Sequence, residues 1–283
     1  MKDGILFIDK EKGLTSRYVD NRIQKLFQTD KVGHLGTLDP FATGLLVVAV
    51  GKATKYLPYL DDSRKSYLAS LRLGESSSTG DPDGVITKFP NPAPEPSPEN
   101  ISAVLSSFVG KGVQIPPMTS AIKIGGTPLY KLARAGETIE RKPRQIEIFE
   151  IHLLQVLPNS VDFSCTVSKG TYIRSLGEDI AAKLGTCGYL TALRRVSIGD
   201  WGLMKAKTLE IIGEGDLMEP TMMMGGFQRV ELTPAENKKA HDGVPLVLLG
   251  HEEERVFLTF QGIGVAVYKK GEDGLYRSER GLF

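Results

Sequence analysis

Residues 33–44 read Gly-His-Leu-Gly-Thr-Leu-Asp-Pro-Phe-Ala-Thr-Gly, and the one carboxylate among them, Asp39, has unusual neighbours. Glycines at 33, 36 and 44 let the backbone turn tightly and let another molecule come close. Pro40 stiffens the chain just after the aspartate, and Leu38 and Phe41 supply apolar walls. A carboxylate fixed in a partly desolvated loop suits nucleophilic or base chemistry. The same residue types also suit an aspartate that caps a helix or stabilises a turn. Taken alone, the twelve residues leave both readings open.

Other chemistries lack their usual signs. The four histidines, His34, His152, His241 and His251, are scattered, with no H-E-x-x-H and no Cys/His ligand spacing, so no metal is expected. Gly44 and Gly51 are separated by six residues where a phosphate loop requires four. There is no dinucleotide-binding glycine fingerprint and no G-x-S-x-G elbow. No cofactor is implied. Cys165 and Cys187 are far apart in sequence and read as small hydrophobes of a reducing compartment.

The elements that must position Asp39 can be read from periodicity. Residues 4–8 form a short strand. Ser16 is placed to cap a helix whose apolar positions Val19, Ile23, Leu26 and Phe27 share one face. The glycine-punctuated loop 33–44 feeds a buried strand at 45–50, and 66–73 is another strand. Five prolines in residues 90–98 make an extended connector. Ser97 then caps a helix with Pro98 at its first position, Ile101, Val104, Leu105 and Phe108 inward and Gly110 as its stop. Residues 146–157 and 161–168 read as paired strands, the second alternating at Val161, Phe163, Cys165 and Val167. A helix follows, with Ile173, Leu176, Ile180 and Leu184 inward and Gly185 at its end.

After residue 228 the pattern becomes short β-type runs broken by glycine. The expected organisation is a main domain at 1–228 and a small β domain at 229–283. Strands and helices mix without strict alternation, so the fold class is α+β with a mixed, largely antiparallel sheet.

The chain has 283 residues, 41% hydrophobic and 24% charged, and a net charge of +1. That is ordinary globular composition. The charge is unevenly spread: residues 123–144 hold six Lys or Arg (Lys123, Lys131, Arg134, Arg141, Lys142, Arg144) against Glu137 and Glu140. Such a segment can track a phosphate backbone, or it can be a solvated face. The apolar stretch at residues 5–8 is too short for a signal-peptide core, and no run is long enough to span a bilayer. A cytoplasmic protein without a membrane partner is expected.

Residues 33–44 closely resemble the catalytic-loop signature of the tRNA pseudouridine-55 synthase family. Further family-like segments follow in the family's order: Lys65-Ser66-Tyr67, Pro116-Pro117-Met118-Thr119-Ser120-Ala121, Gly170-Thr171-Tyr172-Ile173-Arg174-Ser175-Leu176 and Leu193-Arg194-Arg195. The similarity spans residues 3–200. It departs at Asp9-Lys10-Glu11-Lys12-Gly13, where the family has proline in place of Glu11, with Lys10 and Gly13 retained.

The resemblance implies an isomerase that acts on the T-arm stem-loop of tRNA. Asp39 would be its catalytic carboxylate. Arg174 would pair with Asp39 through its planar fork, and an arginine at a helix start needs such a partner, because the dipole there disfavours a cation. Tyr67 would lie against the uracil face, and Leu193 would form a further wall. Gly36, Thr37 and Lys10 would belong to the substrate-binding set. His34 would support the stack left vacant when the target base flips out. Residues 123–144 would be an RNA-clamping insertion, with Lys131, Arg134, Arg141 and Arg144 on the phosphates and Gly125, Gly126 and Gly136 giving mobility. The C-terminal unit would be a small RNA-binding β domain of the PUA type, and the protein a monomer. Two alternatives differ in class: a non-catalytic tRNA-binding or chaperone protein of the same fold, or a synthase acting on another RNA. The joint presence of Asp39, Tyr67 and Arg174 favours catalysis over the first.

Overall fold

The apolar run at 45–50 lies in a strand, Thr43–Val50, that is buried on both faces. A strand covered on both sides carries no polar alternation, which explains the unbroken run. The computed structural model describes residues 3–89 and 96–283, the side chain of Arg134 excepted. Most of the proline-rich connector, residues 90–95, therefore lies outside the described residues.

In chain order the elements are β1 (Gly4–Lys10), α1 (Ser16–Phe27), β2 (Val32–Leu35), β3 (Thr43–Val50), β4 (Arg64–Leu73), the small hairpin β5 (Glu75–Ser77) and β6 (Ile86–Lys88), and α2 (Pro98–Ser106). Then come β7 (Gly110–Gln114), β8 (Lys123–Ile124), β9 (Thr127–Pro128), α3 (Leu129–Arg134), β10 (Arg144–Leu157), β11 (Ser160–Ser168) and α4 (Ile173–Lys183). The chain finishes with β12 (Gly188–Ile198), β13 (Trp201–Gly202), β14 (Gln228–Glu231), α5 (Pro234–His241), β15 (Arg255–Phe260), β16 (Ile263–Lys270) and β17 (Tyr276–Gly281).

A nine-stranded sheet runs β1-β3-β12-β4-β11-β10-β7, with β2 also on β3 and β13 on β12. Among the described residues its pairings are antiparallel except β3 with β12. The α+β class with a mixed, largely antiparallel sheet is the one found. One face is covered by α1, α2 and α4 through Val19, Ile23, Ile101, Leu105, Ile173, Leu176 and Ile180. Over β1 and β3 the opposite face, with Ile5, Phe7, Leu45, Val47 and Ala49, shares a core with Phe257, Val267 and Leu282 of the C-terminal segment. That segment has its own four-stranded sheet, β14-β15-β16-β17, and a helix, α5, outside the sequence expectations, whose signal is the capping box of Thr233 and Glu236 with Pro234 at the first position.

Three local expectations are corrected. The cap of α1 is Thr15, whose side chain accepts the Tyr18 N–H; Ser16 is inside the helix and buried. Leu26 is 48% exposed, because the buried arc of α1 is Ser16, Val19, Asp20 and Ile23. Helix α2 has its Ser97 cap and Pro98 start but ends at Ser106 rather than at Gly110. Successive i→i+3 bonds onto Val104, Leu105 and Ser106 tighten its last turn.

Candidate functional site

Strand β3 changes neighbours along one edge. Residues Val47, Val48, Ala49 and Val50 pair with β2, whereas Thr43 and Gly44 pair with Arg194 and Arg195 of β12. Residues 36–42 connect β2 to β3 at this change of partner, so the loop is shorter than the sequence suggests: residues 33–35 are strand. Gly44 is required there. Its φ is +99°, and a Cβ would stand 2.2 Å from the Arg195 carbonyl oxygen.

The loop is held at three successive carbonyls. Ser16 Oγ bonds Leu38 O at 3.0 Å and accepts the Leu38 N–H at 2.9 Å. Ala42 N donates to Asp39 O at 3.1 Å, and Gly13 N donates to Pro40 O at 2.7 Å. Lys10 Nζ donates to Leu14 O (2.7 Å), Glu11 O (2.9 Å) and Pro40 O (3.4 Å). Lys10 is only 1% exposed, so its ammonium fastens the loop from beneath. Lys10, expected in the substrate-binding set, does not line the cavity beside Asp39. Burial lowers its pKa to about 8, against the pull of the Asp39 carboxylate.

Arg174 is the second residue of α4 and is buried. Its Nε lies 2.9 Å from Asp39 Oδ2, and its Nη2 donates to Asp39 Oδ1 at 3.4 Å. The remaining donors reach Thr79 O at 2.8 Å, Thr119 O at 2.9 Å, the Thr119 hydroxyl, and Asp81 Oδ2 at 3.3 Å. One guanidinium thus gathers the loop, the turn between β5 and β6, and the 116–121 segment. The start of α4 is itself braced by Gln114, which accepts from Tyr172 N at 2.8 Å and donates to Tyr172 O at 3.0 Å. Asp39 remains open on its other side, with 34% of its side chain exposed. Burial pushes its carboxyl above the ordinary range; Arg174 opposes this and Asp81 adds to it.

Asp39 faces a cavity of about 280 Å³. Tyr67, Leu193 and Arg195 form its floor from adjacent strands, with Arg195 directly opposite Tyr67 in register. Arg195 donates from Nε to Leu45 O (2.8 Å) and from Nη2 to Gly36 O (2.9 Å). Burial raises the Tyr67 pKa, so the ring presents a neutral face. Gly36, Thr37, Lys65, Thr119 and Thr171 complete the mouth. The cavity therefore combines an aromatic and an aliphatic wall, enough to hold a planar base, with one open carboxylate.

Of the residues singled out in the sequence, Asp39, Tyr67, Arg174, Leu193, Gly36 and Thr37 come together at this cavity. His34 does not line it. Its Nδ1 donates to Asp20 Oδ2 at 2.9 Å and its Nε2 lies 3.1 Å from Thr37 Oγ1. Arg141 is not a free cation on a flexible arm: its Nη1 donates to Pro116 O at 2.9 Å, tying residues 123–144 to the segment that carries Thr119. Lys131 and Arg144 are exposed, and the Arg134 side chain lies outside the described residues. Gly125, Gly126 and Gly136 have φ of +57°, +84° and +77°, a tight-turn geometry. Sequence reasoning gave no role to Asp81, Thr119, Lys65 or Arg195. The last three lie in segments that carry the family resemblance; Asp81 lies in a turn-forming run, Ser-Ser-Thr-Gly-Asp-Pro-Asp-Gly at 77–84, whose carboxylates are the signal that could have found it.

Among the described residues no group of three or more His, Cys, Asp or Glu is placed to hold a metal ion. The fold is of the pseudouridine-synthase class: the whole chain superposes on a chain of a Cbf5-Nop10-Gar1 complex with TM-score 0.77 at 23% identity, covering 85% of that chain. An H/ACA RNP bound to a substrate RNA containing 2'-deoxyuridine gives TM-score 0.73 at 22% identity over 99% of this chain and 85% of the other. Residues 24–173 match the TruB family pseudouridylate synthase (N terminal domain). The tRNA pseudouridine synthase B of Syntrophotalea carbinolica is 47% identical over 218 residues, 77% of this chain and 70% of its own length. That of Geobacter sulfurreducens is 41% identical over 251 residues, 86% of this chain and 82% of its own. The chain belongs to the TruB family of pseudouridylate synthases.

Proposed function

We propose that this protein converts a uridine of tRNA to pseudouridine, at position 55 of the T arm, with Asp39 as the reacting carboxylate. The observation that carries this reading is the Asp39 carboxylate held on the fork of Arg174 while its free side faces a cavity walled by Tyr67 and Leu193. The reaction breaks the N1–C1′ bond, turns the uracil and joins C5 to C1′. The C5 proton leaves and N1 gains one, so nothing is oxidised or reduced. A carboxylate at the sugar–base junction can add to C1′, add to the ring or take a proton from C2′, and every one of these routes needs its ionised form. Arg174 favours that form and fixes its direction. Tyr67 supplies a stacking face for the base.

The target lies inside a folded arm and must be flipped out to reach Asp39. His34, braced between Asp20 and Thr37 outside the cavity, is positioned beside the loop to support the vacated stack. Exposed Lys131 and Arg144 in residues 123–144 would meet phosphates. Residues 1–228 would act as the catalytic unit and residues 229–283 as an RNA-binding unit of the PUA type. Action as a cytoplasmic monomer belongs to the same proposal; among the described residues no helix is long and apolar enough to cross a membrane.

Tritium release from a T-arm transcript labelled at uracil C5 tests the reading. Release is expected from the natural stem-loop and not from one with cytidine at the target. Equal release from both, or none from either, overturns it.

A further inference from the structure

Helix α1 turns two polar side chains inward. Ser16 and Asp20, each 2% exposed, share the face that also carries Val19 and Ile23. Burying a hydroxyl or a carboxylate is costly unless it is hydrogen-bonded, so their partners show what they serve. Both reach the catalytic loop or the strand that feeds it. Asp20 holds His34, whose other ring nitrogen meets Thr37. Ser16 holds Leu38, the residue before Asp39.

The Ser16 contact is doubly constrained. Its Oγ donates to Leu38 O at 3.0 Å and accepts the Leu38 N–H at 2.9 Å. A hydroxyl has a single hydrogen to give, so the pair of bonds leaves it one orientation. The Leu38 carbonyl lies in the same planar peptide as the Asp39 N–H. Holding that oxygen therefore holds the plane from which the Asp39 side chain departs. Arg174 fixes the far end of the side chain, and Ser16 fixes the near end. Ser16 itself does not line the cavity.

We propose that Ser16 is a positioning residue for Asp39, the hydroxyl through which α1 aims the carboxylate into the cavity; this rests on the function proposed above. Ser16→Ala leaves both Leu38 groups without their partner, and a small misplacement of a reacting group carries a large rate penalty. The single-turnover rate at saturating T-arm stem-loop should fall by about tenfold or more, with affinity unchanged within about threefold.

A loss of rate could also follow from a weakened helix, and Thr15→Ala separates the two. It removes the exposed cap bond to Tyr18 N (3.0 Å) from the same helix end without touching the loop. That variant should melt lower yet keep its rate within about twofold. Should Ser16→Ala fail to fold, Ser16→Cys, of similar size but with weaker bonds, is judged by the same criterion. An active wild type with a Ser16 variant within about twofold of it, or a Thr15→Ala variant equally impaired, overturns the positioning role alone. A wild type that releases no tritium overturns the proposed function and this role with it.

Discussion

Replacing Arg174 by lysine keeps the charge and removes the fork, and the structure gives the size of the effect. The guanidinium is 4% exposed, pairs with Asp39 and Asp81, and also donates to the carbonyls of Thr79 and Thr119. A lysine ammonium has three donors clustered on one atom of a mobile stem, so it cannot meet all of these acceptors. With one or two buried carbonyls left unpaired, stability should drop by about 2–4 kcal/mol. The effect on chemistry is separate. Without two parallel bonds to Asp39, the carboxylate swings, and a displacement of ~1 Å can cost about 100-fold in rate. That corresponds to about 3 kcal/mol of barrier. The assay is single-turnover pseudouridine formation at saturating tRNA, alongside a binding titration and a melt. The expected result is a folded, less stable protein that binds tRNA nearly as wild type and turns it over at about 1% of the rate. A near-normal rate with collapsed affinity would refute the reasoning, because Arg174 would then be a ligand of the RNA phosphates.

Asp39→Asn should bind tRNA within about threefold of wild type and form no detectable pseudouridine, while the wild-type rate should fall on its acid side above the ordinary aspartate range of about 3.9, since burial raises the Asp39 pKa. For Lys10, folded near 8 and ordinarily 10.5, the unfolded chain binds the extra proton between those values. Stability should therefore rise with pH across that window by up to about 3 kcal/mol, and denaturant titrations of Lys10→Met should lack that rise relative to wild type. Lys131→Gln with Arg144→Gln should reduce the salt slope of tRNA binding by roughly 0.7 to 0.9 for each phosphate that is no longer neutralised; an unchanged slope would make the segment a solvated face. Truncation after Gln228 uncovers the core that Ile5, Phe7 and Val47 share with Phe257, Val267 and Leu282. The truncated protein should melt well below wild type, and an unchanged melt would show that this packing contributes little.

Local order was legible where one physical signal dominated. The alternation Val161, Phe163, Cys165, Val167 gave β11 because one face of a strand is buried and the other is not. Ser97 and Pro98 gave the start of α2 because capping is a local event. Gly36 and Gly44, both with positive φ, mark the tight loop around Asp39 in the sequence, whereas Gly33 lies in strand β2; the family likeness is what favours a reacting carboxylate over a turn-stabilising one. The C-terminal change of pattern is visible as well, and the capping box of Thr233 and Glu236 marks the start of α5, which the expected β domain leaves out.

What the sequence could not decide was which long-range partners its polar residues would find. Ser16 looks like a cap from its neighbours; only folding brings it to Leu38, 22 positions away, and makes it an interior clamp. Family resemblance puts Lys10 and Arg141 in the RNA-binding set, and only the tertiary structure shows that they bond the carbonyls of residues 11, 14, 40 and 116. Asp81 and Arg174 are 93 residues apart in sequence and meet only because α4 packs over the sheet beside the β5–β6 turn. A helix or strand period is set by neighbours a few bonds away and can be read from the chain. The burial of a charge, and therefore its pKa and its use, is set by groups that only the closed fold brings near.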